Sequence, residues 1–431
     1  MTTLPVSTLP GVAAKLRPLS PFERLFWAVD KINGFNFGIA VSFRGTIAHS
    51  RWQAAFAQVQ KRHPFLDTAI NEDDPYAPFF IRGEGLPIPL VFQRRLSPTD
   101  WQRVMESEVA EPFDLSTGPL LRAVVLEDNM GCDLVLTAHH AVIDGIGVLA
   151  MVRELLAALS GQALAELPVP ASAEEQAAQI RASKPLPTSE NAAGEVAEPQ
   201  PRNRTYASRN RKGRCAITAL RIPPDQTAGL LRYARREQTT VGALLLAAAA
   251  SAVRELSASL KESDLRLTTA IDARPYLGNE DDFVLAVISP RAIAPYPDGN
   301  LSASARAIKS QIAPHQSFEA IEATFARVAA VHAQELDAAT VVNLLHKTVG
   351  SDVLVSNLRT VEFPSMIDGL VAESVWGPSV LVGVEGEHAI GSATTAGALH
   401  LVYSSFTPLP GLLEAVGEKI EIACRESQPH A

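Results

Sequence analysis

Leu134–Gly147 reads LVLTAHHAVIDGIG, and the fold turns on how this stretch is read. Leu134 to Ala138 is a nearly unbroken apolar run, the pattern of a strand covered on both faces. Asp144-Gly145 forms a turn, and Ile146 to Leu159 then carries Val148, Leu149, Val152, Leu155, Leu156 and Leu159 on one stripe, with Gly161 as the stop. Helix and strand therefore mix in this half of the chain. His139 and His140 end the strand. Adjacent strand residues point to opposite faces, so the two imidazoles cannot share a metal or a substrate, and only one can face a site. If His140 faces it, a neutral imidazole with an ordinary pKa of about 6.5 is suited to take a proton from a hydroxyl or amine as that group attacks. Asp144 is then free to fix the turn rather than to relay a charge.

Upstream, Ser20-Pro21-Phe22-Glu23 has the form of a capping box with proline at the first helical position. Asn36 to Arg44 predicts a strand. Ser50 to His63 places Trp52, Ala55, Phe56 and Val59 at helical spacing before Pro64, and Leu120 to Leu126 predicts a second buried strand. Downstream, residues 162–214 turn rich in Ala, Glu, Gln, Pro and Ser, hold one aromatic, Tyr206, and end in the basic run RNRTYASRNRKGR. Strands then follow at Ala216 to Ile222, Leu265 to Ile271, Asp352 to Ser356 and Leu399 to Ser404. Helices are predicted near 239–258, at Ser302 to Ala313 and across 318–336. The chain divides into an N-terminal subdomain at 1–161, a crossover linker at 162–214 and a C-terminal subdomain at 215–431, both subdomains mixing helix and strand.

A chain of 431 residues, 47% hydrophobic and 20% charged, is globular and long enough for two domains. Its net charge of -9 has the wrong sign for coating phosphate backbones, which excludes nucleic acid as a general partner. Cys132, Cys215 and Cys424 lie far apart with no CxxC pair, so neither a disulfide framework nor a thiolate zinc site is expected, and the remaining histidines are too scattered for a metal set. Lys15 and Arg17 follow the mildly apolar N-terminal stretch instead of preceding it, unlike a signal peptide. Val241 to Val253 is too short for a membrane span, which needs about 20 residues. A cytoplasmic protein is expected. Gly145 to Ala150 fits G-x-G-x-x-A, but no strand with an acidic end follows at dinucleotide-binding distance, and P-loop, α/β-hydrolase and zincin signatures are missing.

His139-His140-Ala141-Val142-Ile143-Asp144-Gly145 resembles the signature of the HHxxxDG acyltransferases: peptide-synthetase condensation domains, polyketide-associated acyltransferases, BAHD enzymes and chloramphenicol acetyltransferase. Leu19-Ser20-Pro21 through Glu23 is similar to the family's LSxxE, and Arg62-His63-Pro64-Phe65-Leu66 to its RHPxL. Pro112 to Arg122 is similar to its PFDLxxGPLLR, Thr240 to Val253 to its Ala-rich helix, and Ser356-Asn357-Leu358 to its SNLG. The C-terminal LHLVYSSF is closest to free-standing polyketide-associated members. Two features depart from the pattern: Arg359 stands where SNLG has glycine, and Val375-Trp376-Gly377-Pro378 is only an echo of DFGxG.

The resemblance implies an α/β protein with mixed sheets, two chloramphenicol-acetyltransferase-like subdomains in a pseudo-dimer, and an interfacial tunnel open at both ends. It implies an acyltransferase that moves an acyl group from acyl-CoA or a phosphopantetheine-linked acyl carrier protein to a small alcohol or amine, with no bound cofactor. A free-standing condensation enzyme joining two carrier-bound substrates, or a non-catalytic scaffold, are the alternatives. By the same resemblance His140 is the general base, His139 a supporting motif residue, Gly145 the turn and Asp144 a structural residue ion-paired to Arg274. Ser356 and Asn357 are candidate substrate-binding groups; either of them, or a backbone N–H near Gly145, could receive the oxyanion. Trp376 is either a packed aromatic or tunnel lining. The basic run Arg202, Arg204, Arg209, Arg211, Lys212 and Arg214 is either a solvated linker end or a landing site for coenzyme A phosphates or an acidic carrier protein. Because one chain supplies both halves of such a site, a monomer is expected.

Overall fold

A computed structural model describes residues 14–183 and 215–425, apart from 279–282, 295, 297–299, 365 and 385. The elements that frame the site are α1 (Pro21–Asn33), β1 (Asn36–Arg44), β2 (Leu90–Arg94), β3 (Leu121–Glu127), β4 (Gly131–His139), α2 (Gly145–Leu159), α3 (Ala173–Ser183), β5 (Ala216–Ile222), α4 (Val241–Leu256), β6 (Leu265–Thr269), β7 (Arg291–Ala294), β8 (Val353–Thr360), β9 (Val371–Val380), β10 (His388–Thr395) and β11 (Ala398–Ser405).

Local chemistry accounts for the ends of these elements. The Ser20 hydroxyl caps α1 by accepting from the Glu23 amide, and the Glu23 carboxylate returns to the Ser20 amide at 2.8 Å. Arg17 adds two bonds of 2.6 Å to the same carboxylate. All nine residues of β4 are buried, as its apolar run requires, and the one acid among them, Asp133, meets Arg95 at 3.3 Å.

Two mixed sheets result. The first has the order β9-β1-β4-β3-β2, and the second β7-β6-β8-β10-β11-β5. Only β2 and β3 pair parallel in the first, whereas β8 pairs parallel with both β6 and β10 in the second. Two large apolar cores form, and the first draws Leu358, Leu370 and Val375 of the second half in beside residues of the first. A smaller cluster joins the sheets, with Ala40, Val124 and Val135 from the first meeting Ile217, Ala389 and Val402 from the second. Helix α4 is a buried helix of the second core, and among the described residues no single helix is long and apolar enough to cross a membrane.

The division at residues 161 and 215 follows the chain but not the sheets. Strand β9, from the second half, adds antiparallel to the open edge of β1, with Val371 opposite Arg44 and Val380 opposite Phe37. The edge of β1 would otherwise present unpaired backbone groups, and β9 satisfies them. Within the crossover region α3 is helical, burying Ala173 and Ala177 in the second core, while 184–214 lie outside the described residues.

The passage of β9 across β10 depends on one glycine. A Cβ on Gly391 would sit 2.1 Å from the Pro378 carbonyl oxygen, a backbone atom that cannot swing aside. Gly391→Ala is therefore expected to destabilise the protein by about 3 kcal/mol or more, since backbone must move to admit the methyl group. Denaturant melts would read this directly, and an unchanged midpoint would mean that the crossing has slack.

Candidate functional site

A cavity of about 1190 Å³ lies between the halves, its walls drawn from α1, β1 and α2 on one side and from β8 and the Asp272–Arg274 segment on the other. His140 follows the last residue of β4, and its amide donates to the Phe35 carbonyl at 2.9 Å, holding the chain to β1 for one residue more. Its ring is half-buried against Phe26, Phe35 and Phe37, with centroids 4.8, 5.1 and 4.6 Å away. Nδ1 lies 3.2 Å from the Ile143 carbonyl oxygen. A carbonyl can only accept, so this bond assigns the proton to Nδ1 and leaves the Nε2 lone pair available. Burial pushes the imidazolium down to about 4, with the negative charge of Asp144 opposing but not cancelling the shift. The ring is therefore neutral at neutral pH.

His139 points the other way, as strand alternation demands. It is fully buried and outside the cavity lining, with Nδ1 accepting from the Ala141 amide at 3.3 Å and Nε2 lying 3.5 Å from Asp30. Asp30 in turn accepts from the Phe35 amide at 2.8 Å, so His139 belongs to the joint between α1 and β1.

Asp144 caps α2 and is saturated. Its Oδ1 accepts from the Gly147 amide at 3.0 Å and from Arg274 Nη2 at 2.9 Å; its Oδ2 accepts from Arg274 Nη1 and the Ala286 amide, both at 2.9 Å. Burial alone would raise the carboxyl, but the Arg274 guanidinium reverses that and holds it below the ordinary carboxylate range. Arg274, 1% exposed, further bonds Asp272 at 3.1 Å and the Val284 carbonyl at 2.8 Å. This bidentate bridge spans 130 residues of chain and ties the turn after His140 to the second half. Gly145 leaves little room for a side chain, because a Cβ there would come 2.9 Å from Leu358 of β8.

Ser356 and Asn357 line the same cavity near the end of β8, and the Asn357 side-chain oxygen accepts from the Arg359 amide at 2.8 Å. Trp376 is not among the residues that line it. Between Trp376 and Ser379 the strand gains one residue relative to β1, so Trp376 and Ser379 share the face of Ala40 and Gly38, toward the second sheet. There Trp376 stacks on Trp101 at 5.2 Å and meets the edge of His400 at 4.6 Å. Past the bulge, Pro378 and Val380 line the cavity instead.

The remaining motif residues serve the frame. Arg62 and His63 grip Glu154 of α2 at 2.7 and 2.5 Å, and His63 stacks on Phe283 from the second half at 3.7 Å. Reasoning from sequence missed Phe26, Phe35 and Phe37 around His140. The spacing of Phe35 and Phe37 about the start of the strand predicted at Asn36 to Arg44 was the available signal. It also missed Arg153, one turn beyond Leu149 on the cavity stripe of α2. Among the described residues no group of three or more His, Cys, Asp or Glu side chains could hold a metal ion. The basic run at 202–214 lies outside the described residues.

Known proteins place this architecture. Polyketide synthase associated protein 5 from Mycobacterium tuberculosis superposes with a TM-score of 0.65 at 18% identity, covering 98% of this chain and 100% of that one. The first condensation domain of the CDA synthetase gives 0.69 at 14%, covering 96% and 97%. TRI3 trichothecene 15-O-acetyltransferase from Fusarium sporotrichioides gives 0.60 at 12%, covering 98% and 99%. At these identities the likeness is one of fold: two chloramphenicol-acetyltransferase-like subdomains with mixed sheets. Tyrocidine synthase 3 from Brevibacillus parabrevis is 26% identical over 165 residues, which is 37% of this chain and 2% of that protein. The matched segments make up only 2% to 6% of the first curated relatives. The condensation-domain pattern itself matches residues 15–284, from the strand before α1 through the Arg274 partner of Asp144. With that match over more than half its length, the chain belongs to the condensation-domain family.

Proposed function

We propose that this protein is an acyltransferase that moves an acyl group from a thioester, acyl-CoA or an acyl carrier protein, directly to a hydroxyl or amine. The observation that carries the reading is the His140 tautomer, with Nδ1 tied to Ile143 and Nε2 left free in a cavity walled by both halves. Nε2 takes the acceptor's proton as its oxygen or nitrogen attacks the thioester carbonyl carbon. The tetrahedral oxyanion is met by amides at the N-terminus of α2, where Gly145 and Ile146 line the cavity, or by Ser356 or Asn357. The C–S bond then breaks, and the departing thiolate takes the proton back from His140. No acyl-enzyme is needed, because a thioester is already activated and the protein has only to align its two substrates. Asp144, with four hydrogen bonds already made, positions the turn and carries no proton.

Thiol release from acyl-CoAs of increasing length, with small alcohols and amines as acceptors, tests this reading. The folded protein should turn over at least one donor, and trapping a stable acyl adduct on a side chain would refute direct transfer. Turnover only when donor and acceptor are both carrier-bound would select the two-carrier condensation reading instead. The pH profile has a definite sign. Nε2 is lost to protonation only as pH falls through about 4, so kcat/KM should be level from pH 6 to 8 and drop with a midpoint near 4. Aliquots returned to pH 7 separate titration from unfolding, and a midpoint at the ordinary imidazole value would contradict the dry setting of the ring.

A further inference from the structure

The cavity wall is positive in a protein whose net charge is -9. Five arginines line it, Arg153, Arg274, Arg291, Arg327 and Arg359, against three acids, Asp144, Asp272 and Glu387. Those acids are all engaged: the first two hold Arg274, and Glu387 accepts from the amides of Val382 and Gly383 at 3.0 and 3.1 Å. Arg153 and Arg359 make no ion pair among the described residues, and both are exposed to the cavity. They are joined through the backbone, since Arg153 Nε lies 3.5 Å from the carbonyl oxygen of Glu362, three residues past Arg359. Arg359 also has a φ of +62°, a left-handed conformation that glycine adopts freely and an L residue resists. An arginine on such a backbone, lining the cavity with no ion pair among the described residues, points to a ligand.

We propose that Arg359 and Arg153 recognise a carboxylate carried by the substrate, on its acyl chain or on the acceptor. This inference rests on the acyltransferase reading and names the substrate class. Two planar guanidinium groups with no acidic partner among the described residues match a carboxylate better than a neutral group. Position argues against the phosphate of the donor arm. Arg153 is eight residues along α2 from Gly145, about 12 Å at the helical rise, and helical side chains lean back toward the N-terminus. The thirteen bonds from sulfur to phosphorus in phosphopantetheine extend roughly 16 Å at ordinary bond lengths, so an arm laid along α2 from Gly145 would carry its phosphate beyond Arg153.

The test compares kcat/KM for matched substrates differing in one carboxylate. Butyryl-CoA against succinyl-CoA probes the acyl chain, and an n-alkanol against the corresponding ω-hydroxy acid probes the acceptor. One pair should favour the acid by about tenfold or more. Arg359→Gln, Arg359→Gly and Arg153→Gln should each reduce that acid-to-neutral ratio by about tenfold. Arg359→Lys should keep part of it, since the charge stays and the planar fork is lost, and Arg103→Gln, exposed and outside the cavity lining, should leave it in place. A wild-type ratio near one in both pairs overturns the proposal, as does a ratio that the arginine variants do not change. If no thiol is released from any donor, the acyltransferase reading has failed and the subsite is judged by binding alone. A thermal shift with glutarate but not glutaramide, lost in Arg359→Gln, would then support it, and no shift with glutarate would sink it.

Discussion

His140→Ala is expected to lower kcat by about 10²- to 10⁴-fold, the range supplied by a positioned general base, while the donor KM changes little. Neither charged or titratable neighbour in the motif can take over. His139 is on the far face of the strand, and Asp144 spends both carboxylate oxygens on Arg274, Gly147 and Ala286. The ring also fills the space among Phe26, Phe35 and Phe37, so a melt must accompany the kinetics. A variant that melts like wild type and still turns over at more than a tenth of its rate would remove His140 from the chemistry.

Asp144→Ala should lose about 3–5 kcal/mol of stability, the usual result of stripping one partner from a buried ion pair. The substitution strips a guanidinium that is 1% exposed of the carboxylate that holds both its Nη atoms, and it orphans the amides of Gly147 and Ala286. Asp144→Asn keeps an oxygen for the Gly147 amide but not the charge, so it should fall between wild type and alanine. The double change Asp144→Leu with Arg274→Met should be milder than Asp144→Ala, because desolvation offsets much of what the intact pair contributes. Wild-type stability in Asp144→Ala with turnover abolished would assign the carboxylate a chemical part instead.

The parts of this site that were readable in the sequence are those in which neighbouring residues constrain one another. Strand alternation separated His139 from His140, the Ser20–Glu23 spacing announced its own cap, and Asp144-Gly145 marked the start of α2. Arg274 was reached through family resemblance, because no local rule connects residues 130 positions apart. Strand β9 was unreadable for a related reason. VAESVWGPSV has no clean alternation, its bulge reverses the facing of its second half, and its partner lies more than 300 residues upstream. The same bulge puts Trp376 on the face away from the cavity, a choice that the sequence alone left open. Arg359 could be seen as a departure from SNLG, but what the departure does depends on a backbone angle and a cavity wall.

Strand β9 also sets an order of events during synthesis. When residue 161 has left the ribosome the first sheet has every strand but one, and the vacant edge of β1 stays open until about 200 more residues have been made. The nascent half therefore carries an unsealed strand edge, the kind of surface that recruits wrong partners. A fragment ending in the crossover should accordingly be prone to self-association, and supplying residues 371–380 as a separate peptide is the natural way to quiet it.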